Sequence, residues 1–400
     1  MKKFKKYLIL IIFAAVLGFS FAFLKHEGYW LKLTIGLKLI KWYLYPLLII
    51  LIFFITILIH ELGHLFSFLF NKIKIRALLV LIFVLKKDQN NKWKFEIYPK
   101  HIKLIGGIVV PNLDNITNEE EFNKVRKGFS KALIAGPNTS IGYLVLSIIL
   151  FFFIWFLTSS FLLIGLLFVN LLVTIAMTIL IVLSSKISTD EIFGDYVAYD
   201  KFKNDDKFAL LQLIQYSSFS TISNEKTDKF LFDYLTRFYE KSDFSYHFFD
   251  LILASNFISF YLRQDNLENI AIYKLLKYYQ INKLAVSKNG LELAYLISAC
   301  YYKQKKAKEA YHSFNLIKIH QNRHIDKEKQ ELLYKNYEHL INLNNNELYF
   351  EEKRDLIIKD LFILAPIIDV DEMIGDMKFQ LDFVEYFTKL YCLIDEQASN

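Results

Sequence analysis

Four long apolar runs dominate the first half of this 400-residue chain: Tyr7 to Leu24, Tyr43 to Phe70, Pro137 to Leu157 and Phe161 to Leu183. Each is close to or above the ~20 residues that cross a bilayer as a helix. In hydrocarbon only helices and closed barrels satisfy their own backbone hydrogen bonds, and these runs lack the strict alternation of barrel strands. The chain is 54% hydrophobic and 17% aromatic, with a mean hydropathy of +0.27. That exceeds what a soluble domain of this size needs, and the surplus stops near Asp190. The reading is mainly α: a multi-pass transmembrane bundle of about four helices, then a polar half that reads as soluble.

Charge orients the bundle. Four lysines precede the first run, and no small-residue cleavage site follows it, only Lys25-His26-Glu27. It therefore reads as an uncleaved transmembrane helix rather than a signal peptide. Lysines and arginines from Lys72 to Lys131 lie between the second and third runs, and more lysines follow the fourth. The positive-inside rule makes these regions cytoplasmic, with both termini inside and residues 25–41 as an external loop. The third and fourth runs, separated by Thr158-Ser159-Ser160, form a tight hairpin. The net charge of +7 comes from scattered lysines, not from an arginine-rich or aromatic-interleaved groove, so nucleic acid is not an expected partner. Cys300 and Cys392 lie far apart without a CxxC spacing and read as reduced thiols. Few prolines with many Lys, Asn, Ile and Phe fit an AT-rich bacterial genome.

Between Ile73 and Val110 the pattern turns strand-like. Ile73-Lys74-Ile75-Arg76 and Trp93-Lys94-Phe95-Glu96-Ile97 alternate, Asp88-Gln89-Asn90-Asn91 reads as a turn, and Gly106-Gly107 precedes Ile108-Val109-Val110. A small sheet at the cytoplasmic membrane face follows. Beyond Asp200, helical spacing is expected over Asp228 to Tyr239, Phe257 to Tyr279, Leu291 to Lys303 and Ala307 to Ile319. Ser298, Tyr301, Ala310, Phe314 and Ile317 fall near the spacing of one tetratricopeptide unit. A solenoid-like domain and a plain helical bundle both fit.

Near the end of the second run lies His60-Glu61-Leu62-Gly63-His64. Residues four apart share a helix face, so both imidazoles can hold one metal ion, with Glu61 beside them as an acid–base group. Ionisable groups in hydrocarbon cost about 2–3 kcal/mol or more, so they do not persist there without a role. A catalytic zinc takes three protein ligands. No other histidine lies in an apolar run, whereas Asp190, Glu191 and Asp195 follow the fourth run, and topology returns them to the motif's side. Asp195 is preferred over Asp190, because Gly194-Asp195-Tyr196-Val197-Ala198-Tyr199 restarts a helical pattern. Asn170, midway along the fourth run, reads as an interhelical hydrogen-bonding residue.

Over roughly Tyr43 to Tyr199 the chain resembles the site-2 protease family of intramembrane zinc metalloproteases. His60-Glu61-Leu62-Gly63-His64 matches its zinc motif, and Ala135-Gly136-Pro137 resembles the turn that opens its next core helix. An acidic residue after the following helix resembles its aspartate ligand, and the Gly106-Gly107 region fits its membrane-surface sheet. The chain departs from the family in having Ser140 where an asparagine is usual, and no Asn-Pro…Asp-Gly context around Asp195. The resemblance implies Zn²⁺ on His60, His64 and Asp195, with Glu61 as catalytic base. The substrate would be a membrane-spanning or membrane-tethered protein or peptide, unwound before cleavage, with an exposed sheet edge able to hold it.

The organisation expected is residues 1–42 as an N-terminal transmembrane helix and external loop, 43–200 as the membrane metalloprotease core, and 201–400 as a cytosolic helical domain. The protein is expected in the cell membrane, in contact with the lipid bilayer and with a cytosolic partner through its C-terminal helices. The alternative is a degenerate relative that binds zinc or a membrane peptide without cleaving it, its cytosolic helices acting as a scaffold. A di-iron desaturase would need several histidine clusters, and only one pair is present.

Overall fold

A computed structural model describes residues 28–360, apart from breaks at 89, 105, 114–115, 190–192, 218–224, 265–267, 288, 322–324, 342 and 344–347, together with residues 370 and 374. The first apolar run, Asp190, Glu191 and Cys392 lie outside the described residues. The described chain is mainly helical with one small antiparallel sheet, and it divides into two compact units. The first comprises Met1–Ser67, Ala132–Ile187 and Phe193–Val197; the second comprises Phe68–Lys131, Ser188–Ile192 and Ala198–Asn400.

The first unit is built from α1 (Tyr29–Leu39), α2 (Leu44–Phe70) as far as Ser67, α3 (Glu119–Leu157) from Ala132 onward, and α4 (Phe161–Ser184); the first part of α3 belongs to the second unit. Among the described residues α2, α3 and α4 are long and apolar enough to cross a membrane. Their outward faces are apolar: Leu47, Ile50, Val145, Ile149, Phe153, Leu172, Ile179 and Leu180 are all exposed. That is the reverse of a water-soluble bundle and suits contact with acyl chains. Inside, Leu33, Phe151, Trp155, Ile164 and Leu171 form one apolar cluster, and Ile40, Ile52 and Val169 another. Lipid gives no hydrophobic drive for helices to associate, so close packing must do that work, and small residues permit it. Gly36 of α1 and Gly165 of α4 meet backbone to backbone, and a Cβ on either would collide with the other helix. As expected, Asn170 bridges α4 to α3: Tyr143 Oη donates to its Oδ1 at 3.2 Å, and its Nδ2 donates to Ser147 Oγ at 3.4 Å.

Two expectations change here. Residues 25–41, read as a loop, carry α1, whose short length falls below the threshold for a spanning segment. Ala135-Gly136-Pro137, read as a helix-opening turn, lies inside α3, which starts 16 residues earlier at Glu119. Pro137 removes one intrahelical hydrogen bond. Ending the helix there would leave several backbone groups unpaired next to hydrocarbon, which costs more.

The second unit starts where α2 stops. Ile73 N–H bonds Phe68 O at 3.0 Å and Lys72 N–H bonds Leu69 O at 2.9 Å. Lys72 takes a left-handed φ of 60°, a Schellman closure that turns the chain out of the helix. The sheet follows as β1 (Lys74–Val80), β2 (Phe83–Lys87), β3 (Trp93–Ile97) and β4 (Gly107–Asn112), in the spatial order β3-β2-β1-β4, antiparallel throughout. The Asp88 carboxylate shapes the β2–β3 turn by accepting from Asn90 N–H and Lys92 N–H at 2.9 Å each. On one face Ala77, Leu79, Val84 and Val110 are buried.

Helices α5 (Asp195–Asn204), α6 (Asp206–Ser217), α7 (Glu225–Lys241), α8 (Phe248–Leu262), α9 (Ile270–Tyr278), α10 (Ile281–Ala285), α11 (Leu291–Lys303), α12 (Ala307–His320) and α13 (Lys327–Leu340) follow, with two short helices at Leu348–Glu352 and Arg354–Asp360. Phe129 of α3 stacks on Phe202 at 4.7 Å. Arg126 one turn earlier donates to Phe202 O at 2.9 Å and pairs with Asp206. The helix read over Phe257 to Tyr279 is two helices: α8 ends at Leu262, and Asn269 caps α9 by accepting from Ile272 N–H at 3.1 Å. Lys303 Nζ gathers the orphan carbonyls at the end of α8, Tyr261 O at 2.9 Å and Leu262 O at 3.0 Å among them. Ser298, Ala310, Phe314 and Ile317 are buried in the α11–α12 hairpin, whereas Tyr301 is half-buried.

The glycine contact between α1 and α4 can be tested in detergent. Gly165→Val should lower stability by about 1–3 kcal/mol through overpacking, read as a drop in thermal midpoint. Gly142→Ala, with open space around its Cβ position, should leave the midpoint unchanged or raise it slightly.

Candidate metal centre

The site forms within the first unit, from three stretches of chain. His60 and His64 sit one turn apart on α2, with Glu61, 4% exposed, between them. Asp195 opens α5, where the unpaired N–H groups of a first turn favour an anion. Its position is fixed by backbone bonds on either side: Gly194 N–H to Ile187 O at 2.9 Å and Tyr196 N–H to Ser185 O at 3.0 Å. Gly194 allows that return, since a Cβ there would run into the carbonyl of Ser184 and the backbone of Ser185.

One ligand atom from each of His60, His64 and Asp195 lies within 4.8 Å of the others. His60 Nε2 and His64 Nε2 are 3.1 Å apart, and Asp195 Oδ2 is 3.3 Å from the first and 3.7 Å from the second. For a tetrahedral ion with bonds of about 2.0–2.1 Å, neighbouring ligand atoms stand about 3.3–3.4 Å apart. The observed triangle brackets that value.

The hydrogen-bond network assigns the protons. His64 Nδ1 is 2.7 Å from Ala132 O, an atom that only accepts, so Nδ1 carries the hydrogen. Ser140 Oγ donates to Gly136 O at 3.2 Å and therefore accepts from His60 Nδ1 at 3.1 Å. Both Nε2 atoms then present lone pairs to the same point as the carboxylate oxygen. Three lone-pair donors converge where nothing else in the ligand set can donate, so the arrangement fits a cation, and the two Nδ1 bonds hold the rings in the ligating tautomer. Burial alone would raise the Asp195 carboxyl. The neighbouring His60 and His64 imidazoles and the hydrogen bond from Ser185 outweigh it and hold the group below its ordinary range.

Two glycines set the helix spacing. A Cβ on Gly136 would occupy the space of the His64 ring, and one on Gly63 would collide with Thr139 and Ala135 O across the α2–α3 contact. The structure therefore brings together His60, His64 and Asp195, the three ligands expected. It adds residues that sequence reading did not assign: Gly136 as clearance for His64, and Ser140 as the acceptor for His60. The signal was present in Ala135-Gly136-Pro137 and in Ser140 one turn later, but its meaning depends on which helix faces it. Tyr196 Oη reaches Asn138 Oδ1 at 3.4 Å, a further link from the aspartate segment to α3.

The sequence pattern of one protein family, described as Peptidase family M50, matches residues 48–340, well over half of the chain. No curated protein and no solved structure matches it. The matched region contains both histidines, Glu61, Gly136, Ser140 and Asp195.

Removing the support for either imidazole should weaken metal binding without touching a ligand. Ser140→Ala is expected to lower affinity about 10–100-fold, and Gly136→Ala to lower it at least as much by displacing His64. Metal content of purified protein, measured after dialysis against a weak chelator, checks this, and unchanged occupancy in Gly136→Ala would contradict the geometry. Gly142→Ala on the same helix should keep its metal.

Proposed function

Because the chain belongs to peptidase family M50, the site-2 protease family of membrane metalloproteases, we propose that it is an intramembrane zinc metalloprotease whose ligands are His60, His64 and Asp195. The observation that carries the reading is the convergence of two Nε2 lone pairs and a carboxylate oxygen beside Glu61 on an apolar spanning helix. Two nitrogens and one oxygen suit zinc and leave a fourth position for the reacting groups.

When bound there, such an ion supplies Lewis acidity toward a water molecule and the scissile carbonyl. Glu61 is the acid–base group: its carboxylate accepts the water's proton and returns it to the leaving amine. Ser140 and the Ala132 carbonyl hold the imidazoles in register while charge develops. Asp195 contributes a negative ligand that tempers the ion's charge in a dry setting.

The substrate class is a membrane-spanning or membrane-tethered protein or peptide. A helix shields its carbonyls, so the cleaved stretch must be extended on arrival. Strand β3 ends the sheet on one side and offers an extended chain a free row of backbone groups. The protein resides in the membrane as a multi-pass protein with cytoplasmic termini, and its C-terminal helices are a docking domain for a cytosolic partner.

Co-expression with tagged membrane substrates tests the reading. Glu61→Gln should abolish cleavage, a loss of at least a thousandfold, while retaining zinc. Asp195→Asn should lose both, and a membrane-permeant chelator should stop the wild type. Cleavage undiminished in Glu61→Gln would rule the protease out. Zinc binding without cleavage of any substrate would favour a non-cutting, peptide-binding relative.

A further inference from the structure

Within the second unit, helices α11, α12 and α13 enclose a cavity of about 420 Å³. Its most deeply buried lining residue is Tyr295 of α11, 5% exposed, whose ring lies 5.5 Å from that of Tyr337 and 6.5 Å from that of Phe314. Lys318 and Gln321, at the end of α12, line one side. Lys327, Glu331 and Tyr334, spaced four and three residues apart, line another from one face of α13. The lining is rich in donors. Among the described residues Lys318 and Lys327 form no ion pair, and the Tyr295 hydroxyl and the Gln321 amide make no hydrogen bond. Lys318 is held in place, its Nζ 4.6 Å from the Phe314 ring centre and 5.4 Å from that of Tyr334. Tyr295 remains a donor at neutral pH, because burial and the nearby Glu338 carboxylate push its hydroxyl up to about 12. Glu338 is already satisfied by Lys335 Nζ at 3.0 Å and by the Tyr334 hydroxyl.

We propose that this cavity captures the C-terminal carboxylate of a peptide or protein, with the Lys318 and Lys327 ammonium groups and the Tyr295 hydroxyl as donors to its two oxygens. Charge selects this occupant. Two lysines against one glutamate give the lining a net charge of +1, the complement of one carboxylate. A phosphate monoester brings close to two negative charges, one more than the lining balances. The volume also exceeds what a carboxylate fills and lies in the range of sites that hold larger groups. The last side chain therefore rests against the Tyr295 and Tyr334 rings. Lys318, Lys327 and Glu331 are exposed, so the cavity is open to solvent there and the rest of the peptide can leave. Lys318, already pinned over two rings, loses less freedom on binding than an unrestrained lysine would. The inference rests on the reading of the C-terminal helices as a docking domain and gives that domain a chemistry. It is independent of whether the metal centre cuts peptides.

The full-length protein in detergent tests this with the tetrapeptide Gly-Ala-Ala-Phe, dye-labelled at its amino terminus. Fluorescence polarisation should show saturable binding of the free acid below about 1 mM. The same peptide amidated at its C terminus should bind about tenfold more weakly or worse, since it offers no charge-assisted acceptor. Lys318→Gln with Lys327→Gln should weaken binding of the free acid by about tenfold or more, and added salt should act in the same direction. Tyr295→Phe should weaken it severalfold. Glu331→Gln should tighten it, a gain that misfolding cannot produce. A phosphoserine peptide with an amidated C terminus should bind no better than the plain amide. Equal binding of acid and amide would overturn the proposal, as would indifference to the lysine pair or to Glu331. A preference for the phosphoserine peptide, or no saturable binding of the free acid below that concentration, would overturn it too. None of these outcomes alters the Glu61→Gln cleavage test, so the metalloprotease reading stands or falls separately.

Discussion

Two imidazole nitrogens and a carboxylate oxygen pointed at one spot repel one another unless a cation sits among them, and the membrane unit is organised around that arrangement. Each ligand is held by its other side. Ala132 O takes the His64 proton, Ser140 Oγ takes the His60 proton, and backbone bonds to Ser185 and Ile187 bracket Asp195. None of these supports is a charged side chain. In a medium that penalises charge, carbonyls and hydroxyls can orient a ligand without adding a second ion to desolvate. The glycines belong to the same solution. Gly63 and Gly136 bring α2 and α3 close enough for a ring on one to hydrogen-bond the backbone of the other, and Gly194 lets the aspartate segment lie against the end of α4.

The two units solve opposite solvation problems with the same residues. In the first, leucine, isoleucine and phenylalanine face outward, and the interior holds the polar groups, among them Thr56, Ser147 and Asn170, each with a local hydrogen-bond partner. In the second, the buried sheet face and the α5–α13 helices pack apolar residues inward, while lysines line the surface. The β2–β3 hairpin follows neither rule, with its aromatics outward and its lysines around them.

What could be read from the sequence divides along a physical line. Features set by neighbours in sequence were legible. The apolar runs specify α2, α4 and the part of α3 from Pro137 onward, the spacing of His60 and His64 places them on one helix face, and alternation marks β3. Features set by approach between distant segments were not. Ala135-Gly136-Pro137 looks like a turn because proline and glycine usually break helices, and only the His64 ring packed against Gly136 shows why a glycine is there. Ser140 looked like a departure from a family pattern, yet it supplies the acceptor that His60 needs. The break between α8 and α9 was hidden because apolar spacing continues on both sides of it, and only the Asn269 cap marks the restart. Asp195 lies between these cases. Topology narrowed the third ligand to a few acids after α4, and the glycine before Asp195 was the local sign that the chain could return there.

The order in which the site's parts become fixed follows from these distances. His64 and Asp195 are about 130 residues apart in sequence, and closing a loop of that length costs about 4 kcal/mol in chain entropy. If the metal had to close it, that much binding free energy would be lost. In the structure, packed helices and backbone hydrogen bonds span that separation. Helices α3 and α4 form a hairpin across Thr158-Ser159-Ser160, α4 packs against α1 at Gly36 and Gly165, and the backbone bonds of Gly194 and Tyr196 hold Asp195. An ion bound there would meet three donors already near their tetrahedral spacing. For the metalloprotease proposed above, a ligand set held in place by helix packing would spend little of an ion's binding free energy on assembling the site.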